Sequence, residues 1–575
     1  MRGIVPDIGG EVAAEGRLAL YKGMVSLNYG EGGSFLAFYR GDLMDTLEVQ
    51  EQTLPVIFGG GHGDPAGNIF YRYGGRQEYA SDEMYWRASD TLFYDLTLDL
   101  LSARGLECYF VLSREGRTVE LGSPDHPYIE IVHVTNSTGQ RPDSTRPGRF
   151  AIVAVPLDVE GSNSVISVFG DDLGSPDPTK WRLGNYNNAV DSVLAYPDAE
   201  EVIPGRGWWL ISREPETFGV DGYTVRPNRS YLGVGYYEVP IALGWNQLAN
   251  PFPFNIDWRE VLVDRNGTVV SVYAGLIDDV AYWYSGSGYF WANTLPAWDG
   301  FFVFANQPGL KMMFPYREQI RGDSRSSMRS LATATADLNW SLQFTMEADG
   351  LTDDGNLVGV RDDARDGLDR FDMAEPPAAP GTSQLAFVLP DDDPYLRRCD
   401  IRPPLEDGAA WDMAMTHANE RVLTVTGIDD LPNDLEAVLV FDIGTTVILR
   451  ESMTIAVPFD TRSARLLIGS RNYTASEVSA ILPEECQLHQ NFPNPFNPVT
   501  NLRYTVPEAG HVLLEVFNLL GQRVITLVND EVSAGTHDVT WNALDSEGRP
   551  VATGVYFYRI TAGDFTAVRK MLLLK

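Results

Sequence analysis

Carboxylates are the residues of this chain whose spacing most invites chemistry. Between Asp349 and Asp412 stand 16 Asp or Glu against six Arg, a local charge of 6 − 16 = −10. Asp362, Asp363, Asp366, Asp369, Asp372 and Glu375 precede Pro376-Pro377, and Asp391-Asp392-Asp393 follow. A hard cation such as calcium takes about six to eight oxygens from carboxylates and carbonyls. The loop order D-x-[DN]-x-[DN]-G fails here: counted from Asp362, Ala364 holds the third position, and Met373 the twelfth, where glutamate is needed. Arg361, Arg365 and Arg370 interleave with the acids, which suits surface ion pairing. The expectation is a solvated acidic loop, with Asp366, Asp369 and Asp372 the first ligands to test for calcium. Any calcium effect there should be weak and reproduced by magnesium or salt. No other cofactor is expected.

The remaining nucleophiles and ligands do not converge. Among seven histidines none forms HExxH, and only His126 and His133 are near neighbours, too few for a zinc site. Ser285-Gly286-Ser287-Gly288 is not a G-x-S-x-G elbow and reads as a turn between two aromatic strands. Gly61-His62-Gly63-Asp64-Pro65-Ala66 matches a dinucleotide fingerprint by letter. A strand-like run, Ile69 to Tyr73, follows it where a helix N-terminus would be needed. Cys108, Cys399 and Cys486 are an odd number at long spacing, so they read as unpaired thiols. Only five of 44 basic residues are lysine, which removes most Schiff-base and phosphate-cradling chemistry. No catalytic residue is assigned, and these residues are not read as an enzyme.

Eight of the 12 tryptophans, Trp181, Trp208, Trp209, Trp245, Trp258, Trp283, Trp291 and Trp298, fall in one stretch. Flat aromatics can stack on sugar rings, so a glycan-binding surface is the competing reading; core packing is the default. The 575 residues carry 44 basic and 79 acidic side chains, a net charge of −35. Such a chain repels nucleic acid before any specific contact forms. No apolar run approaches the ~20 residues that span a bilayer as a helix.

The elements that must position these residues are short strands. Val, Ile, Thr, Tyr and Phe recur in short, often alternating runs broken by 54 Gly and 35 Pro. Examples are Ala151 to Val155, Val165 to Phe169 and Val422 to Thr426. Ser89 to Ala103 is the best helical candidate, though its Thr and aromatic residues suit a strand equally. The fold class is therefore all-β, a tandem of β-sandwiches. The first domain covers 1–140 and ends in a turn-rich stretch, Asn136 to Asp143. An aromatic-rich β domain covers 148–317. Within it Pro204-Gly205-Arg206-Gly207-Trp208-Trp209 resembles Trp298-Asp299-Gly300-Phe301-Phe302, suggesting an internal repeat. Residues 318–336 read as a linker, in which Arg321-Gly322-Asp323 is too short to indicate adhesion. An acidic sandwich covers 337–482, opening with the alternation Leu338, Trp340, Leu342, Phe344.

The last stretch, 483–575, has a character of its own. It begins with Pro493-Asn494-Pro495-Phe496-Asn497-Pro498, which forces an extended approach. Seven short strands follow in about 85 residues, the pattern of a small immunoglobulin-like sandwich. Gly521 sits in the box Asn518 to Val524, Trp541 is the core anchor, Gly554 opens a strand through Tyr556, and Lys570-Met571 begins the terminus. In combination and order these motifs resemble the type A C-terminal sorting domain of the type IX secretion system. A related immunoglobulin-like module occurs in flagellar hook-capping proteins; it fits less well, since here the motif closes the chain after three larger domains.

The resemblance implies a transport address recognised by the type IX translocon, removed by a sortase-like peptidase, with the cargo released or attached to anionic lipopolysaccharide. Processing is expected between Ser476 and Gln490. Upstream, Phe70 to Gly75 with Gly105 to Phe110 looks like a fibronectin type III or related sandwich, to which no activity attaches. An exported member begins with a signal peptide, and Met1 to Asp7 lacks its apolar core. The expectation is that the N-terminus is incomplete and that a catalytic domain could lie upstream. The chain is expected to be secreted or held at the outer-membrane surface.

Overall fold

The structure is a computed structural model. It describes strands at 23–29, 33–39, 47–48 and 52–59 and then the chain from Asp64 to Leu574, apart from short interruptions and residues 320–337. The fold is all-β, in two compact units, Met1–Ser330 and Leu331–Lys575.

The first unit opens with two facing sheets. One is built on Gln52–Gly59 and Thr91–Leu96, the other on Ala66–Tyr73 and Leu106–Arg114. Leu54, Val56, Ile69, Leu92, Phe110 and Leu112 fill the space between them, each at most 1% exposed. The helical candidate at 89–103 forms the Thr91–Leu96 strand and a single 3-10 turn, Leu98–Leu100. β-branched and aromatic residues lose side-chain freedom in a helix and pack well on a pleated face.

The boundary expected at 140 is not where this core ends. Val132–Val134 pairs with Gly222–Thr224, which pairs in turn with Leu157–Val159. The turn-rich stretch is thus a connection inside one sandwich. Polar turn composition marks a change of direction, whether or not a domain ends there. Val165 to Phe169 also departs from expectation: Val165–Leu173 is an α-helix. Ser164 caps it by accepting the Ser167 N–H, and Val165, Val168, Phe169 and Leu173 lie on one buried face at helical spacing.

The aromatic block is two sandwiches related by a repeat. Sheet order Ala151–Ala154, Gly207–Ser212, Trp181–Asn187, Ser192–Ala195 matches Gly244–Ala249, Gly300–Ala305, Ala281–Tyr284, Tyr289–Ala292 strand for strand. The second sheets correspond as well: Leu157–Val159, Gly222–Thr224, Val132–Val134 against Leu262–Arg265, Leu310–Pro315, Val234–Ile241. The copies join reciprocally. Ala154 donates its N–H to the Trp298 carbonyl at 2.8 Å, and Ala249 donates to Gly205 at 3.0 Å. Trp298 and Gly205 both hold positive φ, +67° and +82°. Where the copies cross, a Cβ on Gly300 would stand 3.2 Å from the Gly207 Cα and 2.9 Å from the Leu248 oxygen. Only glycine lets the two sheets close to this distance.

In the second unit, the acidic region packs two five-stranded sheets. Trp340–Ala348, Leu351–Val360 and Arg421–Thr426 lie in one, Gly408–Met415, Ser463–Gly469 and Glu436–Phe441 in the other. Trp340, Leu342, Phe344 and Met346 alternate inward against Trp411, Leu439 and Leu466. Each such side chain contributes about 1.5–3 kcal/mol on burial. A helix, Arg471–Ile481, covers the outer face at Val438, Val440 and Leu467.

Candidate functional site

The C-terminal sandwich pairs a three-stranded sheet with a four-stranded one. The first orders Gln487–Leu488, Thr500–Val506 and Gly535–Trp541. The second orders Arg523–Val532, Gly510–Asn518, Gly554–Ala562 and Phe565–Leu573. Trp541 is the anchor of its core: 1% exposed, 5.6 Å from the Phe496 ring and 5.3 Å from Tyr556, with its indole N–H on the Leu544 carbonyl.

The proline run is sewn onto the last strand. Phe496 donates its N–H to Leu572 O at 3.0 Å and accepts from Leu574 N at 2.9 Å, while Asn494 Oδ1 accepts from Leu572 N at 3.0 Å. Phe496 is buried; Pro493, Asn494, Pro495, Asn497 and Pro498 are exposed. The peptide bonds before Pro493 and Pro495 are cis. Beneath the run, Asn491 Nδ2 donates to Pro493 O and Thr500 Oγ1, and Tyr558 Oη accepts from Asn491 N and donates to His489 O at 2.6 Å. Met571 is fully buried and Lys570 exposed, its carbonyl accepting from Gln490 Nε2 at 2.8 Å.

The other motif residues lie on the same sheet. Gly554 pairs with Leu573 and Tyr556 with both Met571 and Asn518. Asn518 Oδ1 accepts from Leu520 N and Gln522 N, and Gly521 takes φ +78°, which holds Leu519 and Leu520 out at 72% and 83% exposure. Behind the turn, buried Glu515 takes Arg523 at 3.1 Å and Arg559 at 2.8 Å. Burial alone would raise its pKa; the two guanidinium partners together hold it below the usual glutamate range. Sequence reasoning missed Gly444 and Gly535. Gly535 sits at φ +132°, and a Cβ there would collide with the Gly444 carbonyl; Thr445 Oγ1 bonds Thr536 O at 3.0 Å. The acidic and C-terminal sandwiches meet at this glycine pair.

The candidate calcium loop does not assemble. Asp366 is exposed. Asp369 accepts from Arg365 N and Phe371 N, and Asp372 from Asp369 N and Ile401 N, so these carboxylates brace their own loop. Burial, with Asp400 and Asp369 nearby, pushes Asp372 up to about 7 against those backbone bonds. Asp391 to Asp393 lie outside the described residues. Among the described residues, no three His, Cys, Asp or Glu side chains converge as metal ligands.

A different acidic group is buried instead. Opposite Thr345 the Leu351–Val360 strand carries a bulge, since Phe344 faces Asn356 and Met346 faces Asp353. Gly355 in the bulge has φ +82°. Residues three apart on a regular strand face opposite sides; the bulge turns Asp353 and Asn356 both inward. Leu385 N donates to Asp353 Oδ2 at 2.6 Å, and the preceding Gln384 donates its Nε2 to Glu375 Oε1 at 2.7 Å. Glu375 is 4% exposed and Asn356 not at all. Burial raises the pKa of both Glu375 and Asp353; the Asp353 charge adds to the rise at Glu375 and the Asp354 charge to that at Asp353, while Arg398 opposes both. The one sequence signal was local: Asp-Asp-Gly-Asn at 353–356 is bulge material inside an apolar strand.

Tryptophan makes no broad exposed platform in the aromatic block. Trp181, Trp208, Trp209, Trp245, Trp258 and Trp298 are all 5% exposed or less; Trp283 and Trp291 are half-buried. Trp209 packs on Tyr284 at 5.0 Å and Trp245 on Tyr282 at 5.2 Å where the two repeats meet. A cleft of about 570 Å³ in the first unit is lined by Arg72, Arg76, Arg229 and Arg317. Three of the four are already paired, with Glu107, with Glu318, and with Glu238 and Asp264. The expected linker begins later than 318: Glu318 donates its N–H to Gly75 O, and Gln319 to Asn255 O. Arg321 to Asp323 and the N-terminal 22 residues lie outside the described residues. Among the described residues no disulfide joins Cys108, Cys399 and Cys486, and the first two are buried. No described helix is long and apolar enough to cross a membrane.

Residues 499–564 match the sequence model of the FlgD Ig-like domain. No curated protein matches the chain. Among solved structures, latent PorU from Porphyromonas gingivalis is 9% identical, with a TM-score of 0.14, over 92% of this chain and 32% of its own. PorZ, a surface component of the type IX secretion system of Porphyromonas gingivalis, is 10% identical, with a TM-score of 0.15, over 97% and 75%. A polysaccharide lyase is 8% identical, with a TM-score of 0.13, over 41% and 40%. The chain spans about a third of the PorU length, and likenesses this slight carry no argument. What the comparisons establish is an immunoglobulin-like domain at the C-terminal end, similar to that of FlgD.

Proposed function

We propose that the chain is an exported β protein, secreted or held at the cell surface, whose residues 483–575 serve as a type IX sorting signal. One observation carries the reading. Four motif segments scattered over 493–571 are neighbours on one sheet. The proline run bonds to the last strand, that strand pairs with Gly554–Ala562, and the latter pairs with Gly510–Asn518, which leads into the Gly521 turn. A receptor reading them as one surface needs them adjacent, and the sandwich supplies that.

In this reading the partners are the type IX translocon and a sortase-like peptidase, with anionic lipopolysaccharide as the attachment. Processing in this reading falls between Ser476 and Gln490, a stretch in which Ser476 to Ile481 belong to a helix and Gln487–Leu488 to a strand. We assign no catalytic activity to residues 1–482. The test is secretion of the full chain against a chain ending at residue 481, both behind a signal peptide in a type IX-competent host. Export of the full chain alone supports the reading, and equal export of both would overturn it. Mass spectrometry of the exported product checks the site: a C-terminus within 491–575 counts against processing between Ser476 and Gln490.

A further inference from the structure

We propose that the arginine-lined cleft of the first unit binds a carboxylated sugar, such as a uronic acid residue of an acidic glycan. The cleft, of about 570 Å³, is lined from the Ala66–Tyr73 strand, the Arg229–Tyr231 strand and the residues that follow Leu310–Pro315, and its volume suits a small saccharide. Arg72, Arg76, Arg229 and Arg317 line it against two acids, Glu107 and Asp125, so its charge is 4 − 2 = +2 in a chain of −35. Four guanidiniums around one cavity repel one another, and an anion between them relieves that repulsion.

The pairing of these arginines leaves donors over. Arg72 uses Nε on Glu107 and Nη1 on the Gln77 carbonyl, Arg76 meets Glu318 through Nε at 2.8 Å, and Arg229 gives Nη1 to both Glu238 and Asp264. Nη2 of Arg72, both Nη of Arg76, and Nε and Nη2 of Arg229 make no hydrogen bond among the described residues. Arg317 makes no side-chain hydrogen bond or ion pair there; Glu260 feels its charge without bonding to it. Glu318, Glu238 and Asp264 are outside the lining, so they brace the guanidiniums from behind; Glu318 is also held by both Nη of Arg104, at 3.1 and 2.8 Å. The free nitrogens of Arg76 and of Arg229 are each an adjacent pair, the fork that takes both oxygens of one carboxylate.

The neutral lining favours a sugar over a bare anion. Gln77 and Ser230 side chains and Asn228 Nδ2 reach the same cleft without a partner among the described residues, which suits hydroxyl groups. Pro127, Ile129 and Pro227 supply an apolar wall for the C–H face of a ring. No described tryptophan lines the cleft, so the site is separate from the aromatic block's packed rings.

The experiment is titration calorimetry of the full chain with trimers of galacturonate, glucuronate and mannuronate, each beside its methyl ester, and with sodium phosphate as competitor. The expected result is one saturable site per chain for at least one acid trimer, weakened about tenfold or more by esterification and not displaced by phosphate at equal concentration. Arg317→Gln, which leaves no bonded acid without its partner, should weaken binding about tenfold. Adding Arg76→Gln, with Glu318 still held by Arg104, should weaken it about tenfold again. Asp125→Asn should tighten binding about threefold, and Asp366→Asn in the other unit should leave it unchanged. Absence of saturable binding for every trimer, equal binding of the methyl ester, displacement by equal phosphate, or an unchanged dissociation constant in Arg317→Gln would each overturn the proposal. If the double variant fails to fold, Arg317→Gln and Asp125→Asn still decide it.

Discussion

Two glutamates, Glu375 in the acidic sandwich and Glu515 in the C-terminal one, are each 4% exposed. Glu515 is met by two arginines, Arg523 and Arg559, one on each oxygen. Glu375 receives a neutral amide on one oxygen and nothing on the other. Burial penalises both ions, and what surrounds them decides the outcome: Glu515 stays ionised more readily than a free glutamate, Glu375 less readily. The difference teaches where to look for function. A buried charge that is answered is structure; one that is unanswered asks for a ligand or a proton.

The contrast can be broken most forcefully at the core that holds Glu515 in place. Trp541→Ala should cost the C-terminal sandwich about 3–5 kcal/mol, from lost transfer energy and the cavity left behind. Denaturant unfolding of the full chain, followed by hydrogen exchange in 487–573, would show it. A loss under about 1 kcal/mol would mean this core does not depend on its tryptophan.

Next in size is the response to pH. Asp372 has its folded pKa raised from 3.8 to about 7. A raised acid contributes stability that is present below its unfolded value and lost as pH climbs through its folded one. The acidic sandwich should therefore lose roughly 1–3 kcal/mol between about pH 4 and pH 7 through this group. Glu515, lowered, has the opposite sign: its contribution is present above about pH 4.5 and lost only on acidification below that. Hydrogen exchange of each sandwich from pH 4 to 7, in the natural chain and in Asp372→Asn, checks this. Identical profiles for the two proteins would contradict it.

Smaller effects sharpen the boundary between the two sandwiches. Gly535→Ala should cost about 1–2 kcal/mol, because its φ and the Gly444 carbonyl both oppose a side chain. Its readout is faster exchange at Thr445 and Thr536 with the interior of each sandwich unchanged. Asp366→Asn, on the exposed loop, should stay within about 0.5 kcal/mol. A larger change there would show that the loop carries more than solvated charge.

Much of the fold was legible in the sequence because alternation and turn chemistry act locally. The C-terminal strands, the Trp340–Phe344 alternation and the Gly207/Gly300 correspondence all follow from neighbours a few residues apart or from a repeat visible by eye. The helix at Val165–Leu173 was misread because a five-residue apolar run fits either period, and the Ser164 cap was the overlooked signal. The domain boundary at 140 was misplaced because strand pairing across 90 residues leaves no local mark. The acidic site was sought where acids are dense. The buried carboxylates lie elsewhere, where a bulge turns Asp353 inward beside Glu375, and a bulge's effect on facing appears only once the partner strand is known.

The central claim, that residues 483–575 are a transport address, is tested most directly by fusing them to a fluorescent protein behind a signal peptide in a type IX-competent host. The account predicts fluorescence at the cell surface or in the medium, lost when Phe496→Ala loosens the proline run from the final strand. Retention of the unaltered fusion in the periplasm would contradict it.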